Sequence, residues 1–160
     1  MKRSFQPIRI DEKDLEILRV LQADGRVSNA DLAERVALSA SPCWKRLRRL
    51  EQAGVIRGYK AVLDKESLGF GLTVFVSILL DDHTEATCHA FEKKVLGFPE
   101  VIACHNVSGH HDYLLHVLTN DMSSYSEFAL KRLRRIPGVK EMQSTFSLQE
   151  VKSGGDLNLV

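Results

Sequence analysis

The residues best placed to do chemistry lie between Ser39 and Gly54, in the run S-A-S-P-C-W-K-R-L-R-R-L-E-Q-A-G. Cys43, Leu47 and Leu50 recur at i, i+4 and i+7, which puts one apolar stripe along a helix. At helical spacing, Ser41, Lys45, Arg48, Arg49 and Gln52 fall on the opposite face. Small hydroxyls at a helix amino end, followed by cations, suit a phosphate-lined groove: Lys and Arg meet phosphates and reach base edges. A charge run is also an ordinary solvated face, so the reading depends on what positions this helix.

The preceding segment, S-N-A-D-L-A-E-R-V (28–36), predicts a short helix. Ser28 is its N-cap, Asp31 stands three residues on, and Leu32, Ala33 and Val36 form the apolar face. Only Ala37, Leu38 and Ser39 separate the two helices. Ser39 or Ser41 caps the second, Pro42 suits its first turn and Gly54 ends it. Two short helices so joined have the spacing of a helix-turn-helix, whose second helix enters the major groove. An earlier helix begins at Asp11, with Ile10, Leu15, Leu18 and Leu21 or Val20 facing inward, acids at its positive amino end and Gly25 as its stop. The result is a three-helix domain. Residues 1–9 read as polar and loose. Val55–Asp64 favours an extended segment, with Arg57 and Lys60 in reach of a DNA backbone. Lys65–Gly71, with two glycines, reads as a boundary.

A chain of 160 residues allows one domain or two small ones. Residues 1–64 carry 13 Lys and Arg against 9 Asp and Glu, a net of +4; residues 65–160 carry 9 against 12, a net of −3. A basic front suits a polyanion and an acidic back does not. Cys43, Cys88 and Cys104 are an odd set without C-x-x-C spacing, which argues against a disulfide framework and for a reducing cytoplasm. No apolar run has transmembrane length, and no apolar core follows the charges of M-K-R-S-F-Q-P-I-R-I as in a signal peptide.

The second half repeats itself with a period of 38 residues: Phe98-Pro99-Glu100-Val101 matches Ile136-Pro137-Gly138-Val139, and Lys93 matches Lys131. Strands are predicted at 72–80, 101–107, 112–118 and 139–151, and helices at about 84–95 and 123–134. Two such halves make a ferredoxin-like β-α-β-β-α-β domain, with helices on one sheet face and the other face left for a partner, commonly another subunit. The fold class is α+β, with domains at 1–64 and 72–152, a linker at 65–71 and a tail at 153–160.

The two halves together resemble the leucine-responsive regulator/AsnC (Lrp/AsnC) family of transcription factors. The carrying residues are D-G-R-V-S-N-A-D-L-A-E-R-V-A-L-S (24–39), S-P-C-W-K-R-L-R-R-L-E-Q-A-G-V-I (41–56), G-Y-K-A-V-L-D (58–64), V-S-G-H-H-D-Y-L-L (107–115), I-P-G-V (136–139) and S-T-F-S-L-Q-E-V-K (144–152). The resemblance implies an N-terminal winged helix-turn-helix on double-stranded DNA, contacted through Ser39, Ser41, Pro42, Trp44, Lys45, Arg48 and Arg49. It also implies a C-terminal ferredoxin-like (RAM) domain that pairs back to back into a homodimer. Dimers assemble into octameric rings, with an amino-acid effector bound between them. Carried over by position, the effector site is Asn106, Gly109, Asp112, Met122, Tyr125, Thr145 and Phe146. Asp112 would hold the α-amino group, Gly109 and neighbouring amides the carboxylate, and Met122 and Phe146 the side chain. His110-His111 departs from the acidic or small residues many members carry there, and Trp44 is bulkier than usual. Neither a metal nor another cofactor is implied.

Blander readings stand beside these. Cys43 is a small core residue, Asp112 caps a turn, and Lys131, Arg132, Arg134 and Arg135 are a solvated helix end. His105, His110 and His111 beside Cys104 lack zinc spacing. Two rival classes remain: a small enzyme, for which no nucleophile–base set or phosphate loop is spaced, and an amino-acid-sensing module acting on a protein partner.

Overall fold

The structure, a computed structural model, describes residues 8–159, so most of the segment expected to be loose lies outside the described residues. The chain divides into two compact units, Met1–Val62 with Lys152–Val160, and Leu63–Val151.

The first unit holds α1 (Glu12–Ala23), α2 (Asn29–Arg35) and α3 (Ala40–Gln52). At the start of α1 the Asp11 carboxylate accepts the Asp14 N–H and the Asp14 carboxylate accepts the Asp11 N–H, closing a capping box. Ser28 Oγ accepts the Asp31 N–H at 3.1 Å. Ser39 occupies the N-cap position of α3, but its hydroxyl makes no capping bond. The sharp turn between α2 and α3 puts Ala37 at φ +51°, a left-handed conformation costing an L residue about 1–2 kcal/mol. Ile17, Leu32, Ala33, Val36, Cys43, Leu47 and Leu50 form the core.

One expectation for α1 changes here: its most buried apolar residue is Ile17, and Ile10 is 39% exposed, whereas Leu18, Val20 and Leu21 pack partly buried against the core as expected. Residues 57–64 join no strand ladder. Their β propensity is not realised because a lone strand has nothing to pair with; Val62 is 99% exposed.

The second unit contains β1 (Leu72–Leu80), α4 (Glu85–Val95), β2 (Val101–Asn106), β3 (Tyr113–Thr119), α5 (Met122–Phe128) and β4 (Val139–Phe146). A π-helical turn, Ala129–Leu133, replaces the end of the predicted second helix. The last strand stops at Phe146, where its pairing with β1 ends at Val74. The sheet order is β2-β3-β1-β4, antiparallel throughout, as a ferredoxin-like domain requires. Val74, Val76, Ile78 and Leu80 alternate inward with Tyr113, Leu115 and Val117, and meet Phe91, Val95, Phe128 and Leu133 from the helices. Each is at most 3% exposed, so truncating one of the larger side chains to Ala costs about 2–5 kcal/mol. Phe75 and His116 lie on the other face, stacked at 4.9 Å between ring centroids. Phe75 stays 37% exposed because no element of this unit covers that face.

Candidate nucleic-acid interface and effector site

α3 buries Cys43, Leu47 and Leu50 and turns Ser39, Ser41, Pro42, Trp44, Lys45, Arg48 and Arg49 outward, so one helix gathers all seven residues expected at DNA. They are not equally available. Lys45 makes no ion pair among the described residues. Arg48 stands over the Trp44 ring, 5.5 Å from its centroid, with a long ion pair to Glu51 at 3.6 Å. Arg49 is engaged by Asp14 of α1, and Arg46 meets the same carboxylate at 2.9 Å and Asp11 at 2.7 Å. Asp14 is fully buried. A buried carboxylate needs paired charge, so Arg49 and Arg46 lock α3 onto α1. Arg46 pulls the Asp11 carboxyl below the usual carboxylate range. Burial pushes the Cys43 thiol up, so this sulfur is an inert core group.

The clamp is not apparent in the sequence. Asp11 and Asp14 read as helix-dipole acids, and Arg46 sits between the apolar stripe and the outward face. The i, i+3 spacing of Asp11 and Asp14 is the available signal, but nothing local announces that Asp14 is buried.

The expected effector residues fall into two groups. At the β2–β3 turn, Asp112 Oδ2 accepts the Leu80 N–H at 2.8 Å, and Asn106 Nδ2 donates to the Asp112 carbonyl at 3.2 Å. Gly109, at φ +123°, makes the turn between them. His83, which no sequence motif marks, brings Nε2 within 2.8 Å of Asp112 Oδ1. Both Asp112 oxygens are therefore engaged. At the other end, Phe146 pairs with Val74 and Thr145 with Phe75. Tyr125 stands edge-on to Phe146 at 5.5 Å and hydrogen-bonds Ser144. Burial raises the Tyr125 phenol above its ordinary range. Met122, 52% exposed, starts the helix that carries Tyr125. From Val74 to Leu80 the strand advances about 20 Å, so one chain holds these groups at opposite ends of its sheet.

Other candidates resolve simply. Among the described residues, no three His, Cys, Asp or Glu side chains gather to hold a metal. His110 and His111 touch edge to face. Arg132 pairs with Glu100 and Lys131 with Glu127, so half of the second basic cluster is neutralised. Among the described residues, no helix is long and apolar enough to cross a membrane.

Comparison with known proteins places this geometry among relatives. The Lrp/AsnC ligand binding domain family matches residues 73–157, and the winged helix-turn-helix DNA-binding family matches residues 10–57. The Bkd operon transcriptional regulator of Pseudomonas aeruginosa is 42% identical over 142 residues, 89% of this chain and 93% of that protein. The leucine-responsive regulatory protein of Escherichia coli K12 is 41% identical over 148 residues, 92% of this chain and 90% of that protein. The transcriptional regulator NMB0573 of Neisseria meningitidis, solved as an L-Met complex, superposes with a TM-score of 0.90 at 41% identity, covering 94% of this chain and 97% of that one.

Proposed function

The chain belongs to the Lrp/AsnC family of transcriptional regulators, and from that premise we propose that α3 reads DNA while an amino acid bound by the second unit tunes its grip. The family is one of DNA-binding regulators and not of enzymes. The observation that carries the DNA reading is the exposed face of α3, where, among the described residues, Lys45 makes no ion pair and Arg48 meets only Glu51 of its own helix, at 3.6 Å. Lys45 and Arg48 supply phosphate and base contacts, Ser39, Ser41 and Pro42 set the helix end against the backbone, and Trp44 packs beside it. Arg49 acts chiefly through Asp14, as an anchor of the helix.

The effector site follows from the separation of its two groups. One copy offers Asn106, Gly109 and Asp112; a second copy offers Met122, Tyr125, Thr145 and Phe146. The amino-acid site is therefore completed between copies, with Asp112 on the ammonium and Met122 and Phe146 around the side chain. The L-Met complex of NMB0573 supports an amino acid as the ligand class. The open sheet face of Phe75 and His116 suits the back-to-back dimer, and dimers then close into an octamer. The working place is the cytoplasm.

Calorimetry with a panel of amino acids, with and without DNA from upstream of the gene, tests the coupling. DNA must shift the amino-acid affinity by the factor by which the amino acid shifts DNA affinity. One identical affinity in both titrations refutes it.

A further inference from the structure

α1 has more apolar surface than the three-helix core covers. Leu15, Leu18 and Leu21 line a groove of about 790 Å³ with Val55, Ile56 and Tyr59. The chain, having left this unit after Val62, returns to it at Lys152, and Leu157 and Leu159 join the lining of the same groove. Gln22 grips the main chain of Leu157 in both directions: the Leu157 N–H donates to Oε1 at 2.8 Å, and Nε2 donates to the Leu157 carbonyl at 3.2 Å. Arg19 donates from Nε and Nη2 to the Leu159 carbonyl at 3.2 and 2.9 Å, while its Nη1 donates to Glu12 at 3.0 Å. Arg19 and Gln22 are neighbours at i, i+3 on one helix face. Paired main-chain bonds beside an apolar trough are how a groove takes an extended peptide. Leu157 is 74% exposed as a residue, so its main-chain hydrogen bonds do the holding; Leu159 is half-buried.

We propose that this face of α1 is a docking site for the chain's own C-terminal segment, Leu157–Leu159, and that docking stiffens the helix against which the recognition helix is braced. The second half follows from the other partners of α1. Its Asp11 and Asp14 hold Arg46 and Arg49 of α3, so the strap and the recognition helix share one support. Gly154 and Gly155 give the approach to the groove the freedom a strap needs. Because the segment is tethered, its effective concentration at the groove is high, on the order of millimolar, and a modest site stays filled.

Hydrogen exchange on the full chain tests this, because exchange reads local opening directly. The Leu157 amide exchanges at least about tenfold more slowly than the exposed Ser153 amide after correction for intrinsic rates. In Gln22→Ala the Leu157 rate returns to within about twofold of Ser153, and the α1 amides exchange faster while those of β1 do not change. Gln22→Glu, which keeps the acceptor oxygen and removes the donor, falls between. An unprotected Leu157 in the wild type, or equal protection in Gln22→Ala, overturns the docking site. Loss of Leu157 protection with α1 unchanged overturns the stiffening. Protection that disappears on dilution, at constant conditions, assigns the groove to the tail of a second copy and overturns the intrachain strap.

Discussion

Asp14 of α1 lies fully buried with its Oδ1 2.9 Å from Arg46 of α3, while its other oxygen accepts from Arg49. One carboxylate thus fixes the angle of the recognition helix and removes Arg49 from the pool of free cations. Asp14→Asn leaves two guanidiniums facing a neutral amide. Removing one member of a buried ion pair costs about 3–5 kcal/mol; here Arg46 and Arg49 keep 31% and 45% of their side-chain exposure, so water offsets part of that. The expected loss is about 2 kcal/mol in urea unfolding, against less than about 1 for Arg49→Ala, which leaves Asp14 its Arg46 partner. Equal losses in the two variants would contradict the clamp.

The turn before β4 is limited by space as well as by backbone. Gly138 has φ +87°, and a Cβ there would stand 2.7 Å from Thr87 Cγ2. Gly138→Ala should cost about 2 kcal/mol, the backbone part about 1. Thr87→Ser deletes the clashing methyl and keeps the hydroxyl. A double-mutant cycle should therefore recover the steric part of the loss and leave the backbone part. Strict additivity would rule out the clash.

His116 makes the second unit sensitive to acid. Burial and the Lys65 ammonium depress its pKa below the ordinary 6.5, with Glu150 opposing, and its Nε2 is buried without a hydrogen-bond partner. The unfolded chain binds this proton more readily than the folded one. Stability is therefore flat above about pH 6.5 and falls as the pH drops below it. His116→Leu, which keeps packing against Phe75, should flatten that limb and cost little at pH 8. An unchanged slope between pH 5 and 7 would exclude His116 as its source.

His83 stands 2.8 Å from Asp112 Oδ1 and competes with an ammonium group for that oxygen's lone pairs. If Asp112 receives the effector, His83→Ala should tighten amino-acid binding several-fold, and Asp112→Asn should abolish it. Calorimetry separates the outcomes: binding unaffected by Asp112→Asn moves the effector elsewhere.

What can be read along the chain follows from local chemistry. The strand at 72–80 is legible to the residue because β1 is a near-continuous apolar run, and the 38-residue repeat carries the strand–helix alternation. The outward placement of Ser41, Lys45 and Arg48 is legible because helical spacing sets them opposite Cys43, Leu47 and Leu50; Ser39, Pro42 and Trp44 are marked by the family resemblance and not by spacing. Three features are not. Arg46 and Arg49 depend on a burial set by α1. His83 reaches Asp112 only because sheet pairing brings the end of β1 beside the start of β3. Leu157 meets Gln22 across 135 residues of sequence, a separation no periodicity encodes.

The central claim is that α3 grips DNA through Lys45 and Arg48, with Arg49 as its anchor. Fluorescence anisotropy on DNA from upstream of the gene, against scrambled DNA and at two salt concentrations, tests it most directly. Wild type should prefer the upstream DNA. Lys45→Ala/Arg48→Ala should lower affinity and reduce the log–log salt slope by roughly one unit for each phosphate that the variant no longer neutralises. Arg49→Ala should change the slope by less than about half a unit. A double variant that stays folded and keeps the wild-type slope, or a wild type that ignores DNA at low salt with and without amino acids, would contradict the account.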